Sequence, residues 1–332
     1  MELEAQVWRR ATRWALGAVL VLLVLHAVGS KGFQGLKLTE LGYVIGTYLF
    51  VAGVTFRLVQ WSSRPGARMY LRDFRARLRE RRAARRAAVT VVDNLAAQRF
   101  IFRRSAFRWI THLAISWGCM LSFALTFPLV LGWLKFTFVE PMHYQLVAFG
   151  IPTFVFPLKS PVATLLFNGL NLSALLMVAG LALAYLGRIR RRRDFPEGRP
   201  DWDLMPLHML LIVGLTGLAI SVDYKWFDGR SYVFWAVTHQ IAVVLMLVWF
   251  PFSKLFHFLM RPMAVAVETY HEAEAARTKQ PCRSCRRPFA PERQVADLTA
   301  MLGDEGEMLD HCPDCKRQTR ARRYLHREVA HT

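Results

Sequence analysis

Five histidines lie within or beside strongly apolar stretches of the sequence. They are His26, His112, His208, His239 and His257. An ionisable side chain at membrane depth is costly and usually has a function, and a neutral imidazole is a common axial ligand of haem iron. The spacing of these residues therefore decides whether any two of them could hold one cofactor.

His112 and His257 are expected at the same depth. His112 follows Arg108 by four residues where one apolar stretch begins, and His257 precedes Arg261 by four residues where another ends. Four residues of helix span about 6 Å, so each imidazole would lie about that far inside the same boundary, on a different helix. Two imidazoles facing each other at one depth supply the two axial ligands of a low-spin b-type haem.

A second site is suggested by His239, which precedes His257 by eighteen residues in "THQIAVVLMLVWFPFSKLFH". Eighteen residues of continuous helix make five turns and span about 27 Å. Both rings would then share one face, with His239 in the outer half of a bilayer core about 30 Å thick. For His26 or His208 alone, a hydrogen bond to a neighbouring helix explains the residue equally well.

Four cysteines near the C-terminus form two Cys-x2-Cys pairs, "CRSC" and "CPDC", with twenty-six residues between them. They are Cys282, Cys285, Cys312 and Cys315. Four thiolates match the tetrahedral coordination of structural zinc, and a rubredoxin-type iron site is the alternative. Neither pair is followed by histidine, which excludes c-type haem attachment, and disulfides are not expected in a cytoplasmic segment.

Six apolar stretches approach or exceed the length that crosses a bilayer. They cover residues 13–29, 42–60, 107–131, 163–187, 205–222 and 232–256. The chain is 54% hydrophobic yet carries a formal net charge of +20, because its arginines lie between these stretches. The positive-inside rule places the basic connections and both termini in the cytoplasm. The sequence thus predicts an all-α polytopic membrane protein with six helices in a haem-binding bundle, followed by a small cytoplasmic metal-ribbon domain with four cysteine ligands.

We divide the chain into five segments. They are two N-terminal transmembrane helices (1–62), a basic cytoplasmic loop (63–104), a four-helix core (105–262), a polar linker helix (263–280) and the ribbon domain (281–332). The basic loop holds most of fourteen arginines between Arg64 and Arg108, which favours contact with anionic lipid headgroups. Docking of an acidic partner is the alternative. No base-reading module accompanies the loop, so no nucleic-acid partner is expected.

The segment "THQIAVVLMLVWFPFSKLFHFLMRP" resembles the last helix of the respiratory nitrate reductase gamma-subunit family of membrane cytochromes b. This family includes the membrane subunits of heterodisulfide-reductase-like complexes. Its final helix carries two haem-ligand histidines eighteen residues apart, which correspond to His239 and His257. The partner ligand of the cytoplasm-side haem matches His112 in "RWITHLAISWGCMLSF". The resemblance covers residues 100–265, so it implies a cytochrome b-like core.

The sequence departs from the family at one ligand position. The family places a second histidine ten residues after the first on the earlier helix, where this chain has Ser122. His239 would therefore need another partner at an outer haem, either His26 or His143 in the external loop. His208 lies outside the family pattern and could replace a ligand or line a quinone pocket. The resemblance thus implies one or two b-type haems.

The resemblance implies an electron-transfer subunit of the bacterial cytoplasmic (inner) membrane, without a complete active site of its own. Haem would pass electrons between a membrane quinone and a cytoplasmic partner that carries Fe–S clusters or molybdopterin. The sequence itself has no dinucleotide fingerprint and no nucleophile elbow. Two other functions are compatible with six spans: a small transporter, and a non-redox membrane anchor that recruits a partner through its ribbon. Matched half-helices broken by glycine or proline, typical of transporters, are not evident.

Overall fold

The computed structural model describes residues 2–34, 36, 38–190, 200–275, 277–303 and 308–329. The described residues are mostly helical, and six of the helical segments are long and apolar enough to cross a membrane. These spans are Glu4–Gly29, Leu41–Ser62, Ala106–Val130, Pro161–Arg190, Leu204–Trp226 and Tyr232–Phe252. The six predicted apolar stretches are therefore confirmed as helices of spanning length.

The described residues form α-helices and short β-strands. In chain order the helices are α1 (Glu2–Gly29), α2 (Leu41–Ser62), α3 (Pro65–Arg77), α4 (Arg81–Val91), α5 (Arg99–Phe102), α6 (Ala106–Val130), α7 (Pro161–Arg190), α8 (Pro200–Trp226), α9 (Tyr232–Trp249), α10 (His257–Glu274), α11 (Glu292–Leu302) and α12 (Pro313–Val329). The strands are β1 (Leu134–Val139), β2 (His143–Ala148), β3 (Ile151–Pro157), β4 (Lys279–Pro281) and β5 (Pro288–Pro291).

The chain forms two compact units. The first, which we call the span unit, consists of Met1–Val59 and Ala96–Phe258, and the second, the tail unit, consists of Gln60–Leu95 and Leu259–Thr332. The predicted basic loop, residues 63–104, is thus divided between them. Its larger part belongs with the C-terminal region, and the residues from Ala96 onward belong with the spanning helices.

Small residues let the helices of the span unit approach closely. A side chain at Gly118 of α6 would come within 2.7 Å of the backbone nitrogen of Met177, and one at Gly180 of α7 within 2.8 Å of that of Ile115. Such sites are typical of helix contacts in membranes, where packing rather than the hydrophobic effect drives association. The core beside this contact consists of Met177, Leu181, Leu210, Val243, Met246 and Leu247.

The sixth span ends in a break. Helix α9 stops at Trp249 and is followed by a 3₁₀ turn at Phe250–Phe252. Pro251 lies in this turn, and because proline lacks a backbone N–H it cannot continue the ladder of an α-helix. The next residue, Ser253, is extended, with φ −100° and ψ 176°, and its hydroxyl donates back to the Phe250 carbonyl at 2.9 Å.

A new helix begins at the second histidine of this segment. After a further 3₁₀ turn at Lys254–Phe256, α10 starts at His257, whereas His239 lies within α9. The prediction of one continuous helix carrying both histidines on one face is therefore wrong. The extended residue and the two tighter turns change both the rise and the rotation between the two rings.

The connection between α6 and α7 is a three-stranded antiparallel sheet, which the all-α prediction missed. Strand β2 lies in the middle, pairing Leu146 with Phe136 of β1 and Tyr144 with Phe156 of β3. Along β1, apolar residues alternate with Lys135 and Thr137, which is the usual signal of a strand. A second, two-stranded ribbon forms in the tail unit, where Gln280 of β4 pairs with Ala290 of β5.

Two buried carboxylates hold the tail unit together. Glu274 of α10 is fully buried and Asp73 of α3 is nearly so. The guanidinium of Arg293 lies 3.4 Å from Glu274 and 3.2 Å from Asp73, and Arg77 lies 3.6 Å and 2.5 Å from the same two groups. The Asp73 carboxylate raises the pKa of Arg77 by accepting its hydrogen bond. Burying carboxylates is tolerable here because each one is paired.

We expect Glu274→Gln to destabilise this packing by about 2 kcal/mol. Removing one partner of a fully buried ion pair costs roughly 3–5 kcal/mol, and partial exposure of the arginines lowers that figure. Hydrogen exchange of α3 and α11 in the purified full-length chain should then accelerate about thirtyfold. Glu272→Gln, at an exposed position of the same helix, is the matched control. Equal exchange in the two variants would contradict the role assigned to Glu274.

Candidate functional site

The structure brings the predicted pair His112 and His257 together. Their ring centres lie 6.5 Å apart, and the ring planes are inclined by 68°. His112 is half-buried in the second turn of α6, and His257 is the exposed first residue of α10. The two histidines therefore come from helices far apart in the sequence, and the fold brings their rings next to each other.

Each of these rings is held through its Nδ1 atom. Nδ1 of His112 lies 2.7 Å from Oε1 of Gln98, and Nδ1 of His257 lies 2.5 Å from the carbonyl oxygen of Lys254. Both oxygens are acceptors, so Nδ1 carries the proton in each ring and Nε2 carries the lone pair. This tautomer, with Nδ1–H bonded to an oxygen, is the one that metal-ligating histidines adopt.

Gln98 was not singled out from the sequence. It is buried, with 3% of its surface exposed, and its backbone is left-handed at φ 50°. Its amide nitrogen donates to Oγ of Ser116 at 2.6 Å, and the Ser116 hydroxyl donates to the Leu113 carbonyl at 3.2 Å. The hydrogen bonds therefore run in one direction, which fixes the amide oxygen toward His112.

Two tryptophans hold the segment that carries Gln98 against α6. The indole N–H of Trp109 donates to the carbonyl of Ala97 at 2.7 Å, and that of Trp117 donates to the carbonyl of Ala96 at 3.1 Å. Buried indole N–H groups need such partners. Gln98 thus lies on a restrained segment although it is outside the spanning helices.

His239 lies apart from this pair, beside a cavity of about 430 Å³. Its Nδ1 is 3.0 Å from Oγ1 of Thr216, and the Thr216 hydroxyl donates to the Ile212 carbonyl at 2.7 Å. The threonine oxygen therefore accepts from Nδ1–H, and Nε2 again carries the lone pair. The ring of Tyr43 lies 6.3 Å away, and a side chain at Gly217 would come within 3.0 Å of the imidazole.

The walls of this cavity, which we call the His239 cavity, are largely apolar. Three of its polar lining residues are hydrogen-bonded within the protein: Ser221 bonds to Asn171 at 2.7 Å, and Ser122 bonds to Ser173, which lies outside the lining, at 2.9 Å. Ser122 occupies the position where the resemblance expects a histidine. Among the described residues that line the cavity, His239 is the one imidazole.

His26 lies against a different helix face. Its Nδ1 is 3.0 Å from the hydroxyl of Tyr48, whereas His239 contacts Tyr43. Five positions separate these tyrosines on α2, which turns them about 140° apart around the helix. His26 and His239 therefore contact different faces of α2.

The two remaining candidate histidines do not line the His239 cavity. His208 is exposed near the start of α8, with its ring 5.7 Å from that of Tyr185. His143 lies at the start of β2, where its Nδ1 is 2.6 Å from the carbonyl of Pro141.

The four predicted cysteines form one cluster in the tail unit. All four sulfur atoms lie within 4.8 Å of one another, and Sγ of Cys285 is 3.7 Å from Sγ of Cys312. Tetrahedral coordination with metal–sulfur bonds of about 2.3 Å places sulfurs roughly 3.8 Å apart. Cys282, Cys285, Cys312 and Cys315 can therefore hold a metal ion.

The β4–β5 ribbon positions the first Cys-x2-Cys pair. The backbone N–H of Cys282 donates to the Arg287 carbonyl at 2.9 Å, and Arg286 turns the chain with φ 61°. Burial raises the pKa of the Cys282 thiol, but backbone N–H groups of Cys285 and Cys312 donate to the sulfur and lower the pKa to about 6. Such donation favours the thiolate, which is the form that binds metal.

The chain matches no protein family, no curated protein and no solved structure. Three sites therefore bear on its function: the imidazole pair and the His239 cavity in the span unit, and the four-thiolate cluster in the tail unit.

Proposed function

We propose that this chain is the membrane cytochrome b subunit of a quinone-linked oxidoreductase, with one b-type haem between His112 and His257. The observation that carries the proposal is the geometry of the pair, with ring centres 6.5 Å apart and both Nδ1 atoms bonded to oxygens. Two imidazoles on opposite sides of one iron, each with a metal–nitrogen bond of about 2 Å, have ring centres roughly 6–7 Å apart. The separation of the two rings is therefore the one that a shared iron requires.

A bound haem would supply one-electron transfer. The chain's own contribution is to hold two neutral imidazoles at a fixed separation and with fixed tautomers. The oxygen of Gln98 and the carbonyl of Lys254 make the rings more basic, which favours the oxidised iron. The transporter and the non-redox anchor leave this arrangement unexplained, because neither function needs two imidazoles oriented in this way.

The His239 cavity suits the headgroup of a quinone better than a second haem. Its volume of about 430 Å³ is typical of small-ligand pockets, which are mostly apolar with a few polar groups. Nε2 of His239 would accept the hydroxyl proton of a quinol, since Thr216 holds the proton on Nδ1. A second six-coordinate haem would need another imidazole, which the described lining does not offer.

The tail unit would serve the partner side of the complex. We assign zinc to the four-cysteine cluster, because four thiolates leave no open position and structural zinc sites have this closed form; rubredoxin-type iron is the alternative.

Exposed arginines on α4 support contact with anionic lipid headgroups: Arg81, Arg82, Arg85 and Arg86. Electrons would pass to or from a cytoplasmic Fe–S or molybdopterin subunit, with both termini on the cytoplasmic side of a bacterial inner membrane.

The absorption spectrum of the purified chain tests this function. We expect a b-type spectrum on reduction with dithionite, and about one haem per chain by pyridine haemochrome, because the described residues bring one pair of imidazoles together. His239→Leu should keep that haem and slow its reduction by a quinol at least about tenfold, since the proton acceptor is lost. His26→Leu, beside Tyr48 and away from the cavity, is the control and should change neither quantity.

Two outcomes would contradict these expectations. A colourless preparation from haem-replete cells would exclude the cytochrome and leave the transporter or the anchor. Two haems per chain, with one lost in His239→Leu, would show that the cavity holds a second haem instead of a quinone.

A further inference from the structure

We infer that Gln98 is a positioning residue that sets the orientation and basicity of the His112 ring, and through them the redox potential of the proposed haem. The inference rests on the proposed function. Gln98 itself contacts neither substrate nor iron in this assignment, and it acts through Nδ1 of His112, 2.7 Å from its amide oxygen.

The direction of the hydrogen bonds gives Gln98 this role. The hydroxyl of Ser116 gives its proton to the Leu113 carbonyl, so its oxygen must accept from the Gln98 amide nitrogen. An amide turned the other way would place its oxygen against the Ser116 oxygen and its N–H₂ against His112. The network therefore selects the amide orientation in which His112 holds its proton on Nδ1 and directs the lone pair through Nε2.

Burial strengthens this effect. Gln98 is 3% exposed, so water competes little for its amide, and hydrogen bonds are electrostatically stronger in such surroundings. The indole groups of Trp109 and Trp117 fix the preceding carbonyls, so the left-handed segment cannot easily move away. The acceptor is thus held at one distance from the ring.

Of the two groups that accept a hydrogen bond from Nδ1 of a histidine in this pair, Gln98 is the one that a side-chain substitution can change. His257 bonds to a main-chain carbonyl, that of Lys254, which no side-chain substitution removes. The partner of His112 is a neutral side chain, which can be replaced by a charged acceptor of nearly the same shape or by an apolar chain of similar length. A stronger acceptor makes the imidazole a stronger electron donor and favours the oxidised iron, whereas losing the acceptor favours the reduced iron.

Potentiometric titration of the purified full-length haem protein tests the inference. We expect Gln98→Glu to lower the midpoint potential and Gln98→Met to raise it. A tenfold change in the relative affinity for the two oxidation states corresponds to about 59 mV for one electron. Gln98→Met should also release haem ten- to hundredfold more readily, as loss of such partners does at other metal sites. Low-spin EPR of the oxidised protein would report the changed ring orientation.

Asn168→Leu is the matched control, because it removes an exposed amide from α7 whose hydrogen bond is to the Thr164 carbonyl. It should leave the midpoint potential unchanged.

Shifts of opposite sign in the midpoint potentials of the two Gln98 variants would support the inference, since a purely structural role would move both potentials in one direction. Wild-type potentials in both variants, with haem bound, would overturn it and leave the haem site intact. A wild-type chain without haem would instead overturn the proposed function and this inference with it.

Discussion

Replacing either His112 or His257 with leucine is expected to abolish the b-type spectrum of the purified chain. The rings lie 6.5 Å apart, and each is oriented by an oxygen on Nδ1, so each would supply one nitrogen ligand to the iron of the proposed haem. Leucine has a similar size but no nitrogen, which leaves the iron one ligand short. Haem content should fall from about one per chain to nearly zero, and quinol-linked electron transfer should fall at least about a hundredfold.

His208→Leu is the control for this experiment. His208 is an exposed histidine of a spanning helix whose described ring contact is Tyr185, so its loss should leave the haem in place. Hydrogen exchange of the spanning helices would show whether the variants remain folded. A full complement of six-coordinate b-haem in His257→Leu would exclude this residue as a ligand.

The imidazole pair was predictable although the helix that carries His257 was misjudged. Depth was counted from Arg108 and Arg261, which mark where apolar stretches meet charged ones, and that estimate does not depend on a continuous helix. The five-turn relation of His239 to His257 did depend on it, and Pro251 and Ser253 interrupt the helix. Hydropathy reports where a chain is apolar and carries no information on whether its backbone stays helical.

Gln98 was beyond sequence reasoning for a different reason. Its bond to His112 crosses fourteen positions and requires a left-handed residue on a segment fixed by two indoles. Nothing in "LAAQRF" marks this glutamine as different from a solvated one. The ion pairs of Glu274 with Arg77 and Arg293 could not be predicted either. The sequence around an arginine is the same whether its side chain is solvated or paired with a carboxylate far away in the chain.

The four-cysteine cluster was predictable because metal coordination demands convergence. Each Cys-x2-Cys pair can lie on one turn of the chain. An ion that binds all four thiolates must then bring the two pairs together. The intervening residues form β5 of the β4–β5 ribbon and α11. The three-stranded sheet between α6 and α7 carries no such constraint, and only the alternation of its residues could have indicated it.

Cys312→Ser is expected to unfold the ribbon of the tail unit while leaving the haem spectrum unchanged. Cys312 is buried, 3.7 Å from the sulfur of Cys285, and its backbone N–H donates to the sulfur of Cys282. Binding of structural zinc supplies about 10–16 kcal/mol of folding free energy in small domains. Loss of one thiolate should lower metal content to nearly zero and remove exchange protection from β4 and β5.

The lone cysteine of α6 provides the control, because Cys119→Ala changes a thiol that lies outside the cluster and should retain one metal ion per chain. Elemental analysis of the wild-type chain decides which metal is bound. Zinc would make the ribbon a structural element, since zinc has no redox chemistry. Iron would instead give the tail unit a redox centre of its own.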